Sequence, residues 1–155
     1  MDAQQTSRRP SLAADLVGTW ELLSRQDVTR SGAPRTEPSL GSDPIALLFF
    51  DASGHFAAQF MKRDRSSVAE VETRPSASNN SRARGGYDAY FGAYSVDDET
   101  GTVTTRLSAA LSQENVGQSF SRTMSVAGNE LVIRLDTATA SGEPIVRTLR
   151  WRRVG

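Results

Sequence analysis

Apolar and polar side chains alternate along several short segments of this chain, and a period of two is typical of β-strands with one face against a core. Leu131, Ile133 and Leu135 share one face of such a segment, and Phe56 and Phe60 share a face of another. Turn residues separate the segments from one another. The pattern predicts eight strands, at residues 15–28 (extended from Trp20, after a short turn capped by Asp15), 45–50, 55–61, 89–96, 103–110, 119–126, 131–136 and 145–153.

Most of the connections between these strands are short and rich in turn residues. The clearest is Asp51-Ala52-Ser53-Gly54, a four-residue link between two β-rich runs, which is typical of a hairpin. Eight antiparallel strands joined in this way are best closed into an up-and-down β-barrel, because closure removes both exposed edges. A barrel of this size leaves room for one small ligand. The sequence therefore predicts an all-β fold with an internal pocket.

Polar segments flank and interrupt the predicted barrel. Residues 1–14 show no apolar periodicity and are expected to form a flexible arm, which leaves 15–155 as one barrel domain. Residues 30–43 contain glycine and proline and are expected to form a loop. The polar stretch 62–86 is long enough for a lid with a short helix at 67–73, or equally for a floppy insertion.

Charge and composition exclude several classes of function. Eighteen basic and eighteen acidic residues cancel, so no overall field attracts nucleic acid or an anionic membrane. With no cysteine and with His55 as the one histidine, neither a disulfide nor a metal site is expected. No phosphate-binding loop or dinucleotide fingerprint occurs, so no cofactor is expected. No apolar run suits a signal peptide or a membrane span, which predicts a cytoplasmic protein, although a removed signal peptide would leave no trace.

Several short motifs occur in a fixed order along the chain. They are Leu16-Val17-Gly18-Thr19-Trp20-Glu21-Leu22, Phe50-Asp51-x-x-Gly54, Ala89-Tyr90-Phe91-Gly92-x-Tyr94-x-Val96, Gly117-Gln118-x-x-x-Arg122 and Leu149-Arg150-Trp151-Arg152-Arg153. The first resembles the Gly-x-Trp opening of the calycin barrels. Together the motifs resemble the bacterial and fungal lipocalin-like domain family over roughly residues 16–154. The resemblance implies a calycin-type β-barrel.

This resemblance implies a structural role for Gly18 and Trp20. Glycine lets the chain turn closely into the barrel, and the indole closes one barrel end beneath an arginine of the last strand. Arg150 or Arg152 is expected to supply that cation. Members of the family often carry a histidine in the strand where this chain has Thr105 or Arg106, so an acid-base role does not carry over.

Candidate ligand-binding residues follow from the parity of the strands. Arg122 is in phase with Phe120 and Met124, and a guanidinium pointing inward needs an anion, a carbonyl or a tyrosine as its partner. A ligand oxygen and an internal ion pair are equally open as that partner. Tyr90 and Tyr94 share a face, and either phenol could orient a ligand oxygen or simply pack in the wall.

Three further residues complete the predicted set, namely Thr105, Gln59 and Met61. Gln59 and Met61 lie on the strand face opposite Phe56 and Phe60, and only one of these faces can line the cavity. Parity within one strand leaves that choice open.

Two functions of different class remain open. The first is binding of a small hydrophobic or aromatic, polyketide-like molecule, with Arg122 and a tyrosine as polar anchors. The second is a cofactor-independent isomerase or cyclase of secondary metabolism, in which Arg122 or Tyr94 is catalytic and stabilises developing oxyanion charge. A barrel filled by its own side chains is a third reading. The expected partner is a small apolar or aromatic ligand rather than nucleic acid, and both a monomer and a dimer are open.

Overall fold

Nine strands dominate the computed structural model, which describes residues 11–66 and 79–155. The described residues also form one short α-helix and one turn of 3-10 helix. The elements are α1 (Leu12–Leu16), β1 (Gly18–Thr29), β2 (Pro34–Arg35), β3 (Ile45–Phe50), β4 (His55–Met61), β5 (Tyr87–Asp97), β6 (Thr102–Ala110), the 3-10 turn (Gln113–Asn115), β7 (Ser119–Ala127), β8 (Glu130–Ala138) and β9 (Pro144–Arg153).

The long strands form a closed antiparallel barrel. From β3 to β9 each strand pairs with the next along the chain, and β1 pairs with both β3 and β9. The closing ladder runs from Trp20 opposite Arg153 to Thr29 opposite Ile145. This confirms the predicted eight-stranded barrel. The two-residue β2 is an addition to it, in a segment predicted as loop, and pairs with the far end of β1.

Alternation along each strand decides which side chains face the interior. In β4 the buried residues are Phe56, Ala58 and Phe60, whereas Gln59 is exposed and Met61 is partly exposed. The register aligns Phe60 with Asp88 of β5, so the inward face continues across the strand pair. Alternation along β4 left open which of its faces lines the cavity. The structure shows that it is the face of Phe56 and Phe60.

Trp20 lies near the start of β1 and is fully buried. Its indole Nε1 donates to the carbonyl of Leu16 at 2.9 Å, and the guanidinium of Arg153 lies 4.3 Å from its ring centroid. Arg153 also donates to the carbonyls of Val17 and Asp15, at 2.7 and 2.6 Å. The same side chain therefore covers the indole and ties the last strand to the first helix.

The expectation that Arg150 or Arg152 covers Trp20 is wrong, and strand parity explains why. Trp151 is buried, so its neighbours in β9 point outward and Arg153 points inward again. Arg150 and Arg152 instead face solvent, where they meet carboxylates of neighbouring strands, Glu130 at 3.5 Å and Glu21 at 3.3 Å.

The start of the described chain differs in detail from the prediction. Ser11 rather than Asp15 caps the first turn, because its side chain accepts from the amide of Ala14. Leu16 of this helix is completely buried under the barrel end. Residues 11–14 of the predicted arm are thus ordered with the barrel. The rest of that arm and the predicted helix at 67–73 lie outside the described residues.

Candidate functional site

The interior of the barrel contains a cavity that is partly open to solvent. Its walls are largely apolar, and aromatic rings are prominent among the lining side chains: Phe50, Phe56, Phe60, Tyr90, Phe120 and Trp151. Several of these rings contact one another, for example Phe60 with Trp151 at 5.8 Å between centroids. A concave, mainly apolar space with a few polar groups is the usual form of a small-molecule site.

Several polar side chains line the cavity, and three of them are arginines: Arg25, Arg122 and Arg147. Arg147 forms a bidentate pair with Asp27, with Nε to Oδ1 at 2.8 Å and Nη2 to Oδ2 at 3.0 Å. Both side chains are almost fully buried, at 3% and 4% exposure. Two parallel hydrogen bonds and opposite charges satisfy both groups, which makes this pair a structural one.

Arg25 is also paired within the protein. Its Nη2 lies 3.3 Å from a carboxylate oxygen of Glu37, and its Nη1 donates to the carbonyl of Gly41 at 2.9 Å. Burial alone would raise the pKa of Glu37, but Arg25 and hydrogen bonds from Ser39 outweigh burial, so that pKa is lowered. Glu37 is therefore ionised, and this pair holds the loop after β2 against the barrel wall.

Arg122 differs from these two arginines because no described carboxylate pairs with it. Its Nη1 donates to the side-chain oxygen of Asn79 at 2.8 Å and to the carbonyl of Ser121 at 3.3 Å. Its guanidinium lies 5.3 Å from the ring centroid of Phe120. Burial lowers the pKa of Arg122 to about 10, so the group stays charged at neutral pH. A positive charge thus lines an apolar cavity with neutral partners among the described residues.

Asn79 holds Arg122 at a gap in the barrel wall. β7 and β8 pair from Thr123 opposite Arg134 to Ala127 opposite Glu130. The residues of β7 before Thr123 and those of β8 after Arg134 are not paired with each other. The side-chain amide of Asn79 bridges the gap, with Nδ2 donating to the carbonyls of Ser121 at 3.2 Å and Asp136 at 3.1 Å. Its backbone is left-handed, with φ at 57°. Asn79 therefore closes the split and presents its oxygen to Arg122.

Asp88 is a cavity residue that the sequence analysis missed. It is 2% exposed, and its Oδ2 accepts a hydrogen bond from the hydroxyl of Ser81 at 2.5 Å. Burial raises the pKa of Asp88 to about 7, since the hydrogen bond from Ser81 compensates only in part. Asp88 is two residues from Tyr90, so parity with Tyr90 would have found it. The strand was predicted to begin at Ala89, two residues after its observed start at Tyr87, and so left Asp88 out.

Tyr90 lies beside Asp88 on the same face of β5. Burial, and next the charge of Asp88, raise the pKa of Tyr90 to about 12, while Arg122 and Ser81 act in the opposite direction. The phenol is therefore neutral at physiological pH and can donate a hydrogen bond. Asp88 and Arg122 thus both act electrostatically on Tyr90 within one cavity.

Five of the candidate residues named from the sequence line the cavity: Arg122, Tyr90, Thr105, Phe120 and Met124. Gln59 and Met61 do not, since they lie on the outer face of β4, where Gln59 accepts from the phenol of Tyr87 at 2.5 Å. Tyr94 is also outside the lining. Its phenol donates to the carbonyl of Asp51 at 2.7 Å, beside the first hairpin. The structure therefore does not bring Tyr94 together with Arg122.

His55 lies in the exposed hairpin, where its Nδ1 is 2.7 Å from the hydroxyl of Ser53. It is not among the residues that line the cavity. The described residues contain no cluster of three side chains suited to a metal ion. The chemistry of the site thus consists of a guanidinium, a carboxyl, a phenol and apolar walls.

Comparison with known families bears on this geometry. A family model for the lipocalin-like domain matches residues 17–154, from the glycine–tryptophan opening to the end of the last strand. The chain belongs to the lipocalin-like domain family. This confirms the family inferred from the motifs, and a lipocalin-like barrel suits the binding of a small hydrophobic ligand. A search of curated proteins found no match to the sequence. In the described part of this lipocalin-like chain, no helix has the length and apolarity to cross a membrane.

Proposed function

We propose that this lipocalin-like barrel binds a small aromatic, polyketide-like molecule that carries an acidic oxygen, and that Arg122 binds this oxygen. The observation that carries the proposal is the charge of Arg122, which faces an apolar cavity without a carboxylate partner among the described residues. Burying a cation is costly unless an anion pairs with it. A carboxylate or enolate oxygen of a ligand supplies that anion.

The neighbours of Arg122 support an aromatic ligand. The guanidinium stacks near Phe120, and Tyr90 lies within electrostatic reach and is a neutral donor. Charged oxygens accept such hydrogen bonds more strongly than neutral ones. The rings of Phe56 and Phe60 flank Tyr90, at 6.0 and 6.4 Å between centroids. A flat ligand therefore has apolar faces to contact and two donors for its oxygen.

The test begins with native mass spectrometry of freshly purified protein and organic extraction of anything that co-purifies. In parallel, calorimetric titration compares 2-naphthoic acid with 2-naphthamide, which has the same shape and no charge. We expect the acid to bind roughly ten to a hundred times more tightly, because a hydrogen bond to a charged group contributes about 1.5–3 kcal/mol.

Variants connect this preference to Arg122. Arg122→Met keeps an unbranched apolar stem and removes the charged guanidinium, so it should bind the acid and the amide equally. Arg150→Met, on the outer face of β9, is the matched control and should keep the preference. Equal binding of both probes to the wild-type protein would contradict the proposal.

A second candidate, a cofactor-independent isomerase or cyclase, is favoured by one observation. Asp88 has a pKa of about 7 and lies in the same cavity as Arg122, so it can take up and return a proton near neutral pH. Turnover would then fall more than affinity in Asp88→Asn. The readout is conversion of the extracted molecule, or of its precursor, by the wild-type and variant proteins.

A further inference from the structure

We infer that the cavity has a second polar subsite at Asp88, which binds a hydroxyl group, so that hydroxylated aromatic acids are preferred over their unsubstituted parents. The inference rests on the proposed function, because it specifies the ligand of the same cavity. It adds that the ligand carries a hydroxyl group, which binds at Asp88 and not at Arg122.

The unused hydrogen-bonding capacity of Asp88 is the main observation. Its Oδ2 accepts from Ser81, whereas its Oδ1 is buried in the cavity wall with no hydrogen-bond partner among the described residues. Buried carboxyl oxygens nearly always have a partner, because leaving one without a partner is costly. The carboxylates of Asp27 and Glu37 have theirs within the protein. The oxygen of Asp88 is thus the acceptor that a ligand can use.

A second unsatisfied group belongs to the lining of the same cavity. The indole Nε1 of Trp151 is buried and has no described partner, and Trp151 is 1% exposed. Phe60 links the two, since it is the register partner of Asp88 and its ring contacts Trp151 edge to face. The lining of the cavity therefore holds both an unpaired acceptor and an unpaired donor. A hydroxyl both donates and accepts, so it suits either group, whereas a carbonyl only accepts.

The charge state of Asp88 gives the subsite a pH dependence. The charged and titratable groups that act on Asp88 are Arg25 of β1 and Glu37 of the loop after β2, and the phenol of Tyr90 lies beside it on β5. Burial raises the pKa of Asp88 to about 7. A hydroxyl donates more strongly to a carboxylate than to a neutral carboxyl. The advantage of a hydroxylated ligand should therefore increase from pH 6 to pH 8.

The experiment uses the full chain and calorimetric titration with 2-naphthoic acid and its monohydroxylated isomers, which differ in the position of the hydroxyl. We expect at least one isomer to bind about ten times more tightly than the parent acid at pH 8, with a smaller advantage at pH 6. Failure of every isomer to exceed the parent would overturn the inference.

Two variants of Asp88 separate hydrogen bonding from ionisation. Asp88→Leu has a similar shape and no hydrogen-bonding group, so it should bind the best isomer and the parent acid equally. Asp88→Asn should keep part of the preference and lose its dependence on pH. Arg150→Met, on the outer face of β9, is the control and should leave the preference intact. A preference that survives in Asp88→Leu would contradict the inference.

The outcomes distinguish this inference from the proposed function. If 2-naphthoic acid binds through Arg122 and the hydroxyl has no effect, only the subsite at Asp88 is refuted. If no naphthoic acid binds the wild-type protein, both proposals are refuted. Circular dichroism shows whether each variant is folded. If Asp88→Leu does not fold, the pH dependence of the preference in Asp88→Asn still tests the inference.

Discussion

Arg147 and Asp27 illustrate how single residues stabilise this barrel. Both are almost completely buried, and each satisfies the other through two short hydrogen bonds. Removing one member leaves a charge in the barrel wall without its counter-ion. The two residues lie on the strands that close the barrel, since Asp27 and Arg147 are register partners of β1 and β9.

We therefore expect Arg147→Met to lower the free energy of unfolding by about 3–5 kcal/mol, the usual cost of breaking a buried ion pair. Urea denaturation followed by tryptophan fluorescence measures this change. Arg152→Met on the same strand is the control, because its pair with Glu21 is exposed. Exposed pairs contribute at most about 1 kcal/mol. Similar losses in both variants would contradict this account of the buried pair.

At the scale of elements, the barrel depends on places where the regular ladder is interrupted. One is the shift between β5 and β6 at Phe91 and Gly92, where β6 contains one extra residue, Ser108. A Cβ on Gly92 would lie 1.8 Å from the carbonyl oxygen of Arg106. This bulge brings the two backbones too close for any side chain at position 92.

Gly92→Ala should lower the free energy of unfolding by at least about 3 kcal/mol, because backbone atoms cannot move aside as a flexible side chain can. Thermal and urea denaturation provide the measurement. Gly128→Ala is the control, since nothing lies within 4 Å of its Cβ position and its φ of +61° costs about 1 kcal/mol. A mild effect of Gly92→Ala would show that the bulge is not rigid.

The second interruption is the split between β7 and β8 that Asn79 bridges. The amide of Ser121 donates to the side-chain oxygen of Asn79 at 3.2 Å rather than to a strand. Asn79→Ala should therefore increase hydrogen exchange at the Ser121 amide by roughly fivefold, since one hydrogen bond contributes about 1 kcal/mol. Nuclear magnetic resonance measures the rate. Asn129→Ala, in the turn at the other end of the same strands, should leave it unchanged.

At the scale of the whole molecule, Asp88 makes global stability depend on pH. Its pKa is raised by burial to about 7 in the folded protein, against 3.8 for the ordinary side chain. Between these values the unfolded chain has lost a proton that the folded protein keeps. The contribution of Asp88 to the free energy of unfolding is thus fully present below pH 3.8. It declines as the pH rises towards 7 and changes little above that value.

The free energy of unfolding should accordingly fall by about 1 kcal/mol per pH unit between pH 5 and pH 7 relative to Asp88→Asn, which cannot ionise. Urea denaturation of both proteins at pH 5, 6, 7 and 8 measures the difference. Glu37 has a lowered pKa, so its contribution is lost only at more acidic pH. Parallel pH profiles for the two proteins would contradict the ionisation of Asp88 in this range.

The sequence by itself determined the class of the fold and most of its strands. Two-residue periodicity and turn composition are local signals, so β3 and β4 were predicted with their observed bounds and the other long strands within a few residues. Parity also placed Arg122 beside Phe120 and Met124 on one face. The family followed from short motifs in order, and the family model agrees.

Tertiary structure decided which faces and which partners the side chains have. Parity is defined within a strand, but the inward face of β4 depends on the register with its neighbours, which excluded Gln59 and Met61. Burial of Asp88 and its raised pKa arise from contacts with Ser81 and the cavity wall, which no local pattern encodes. The same holds for Arg153 over Trp20, because the two residues are joined by barrel closure and lie at opposite ends of the chain.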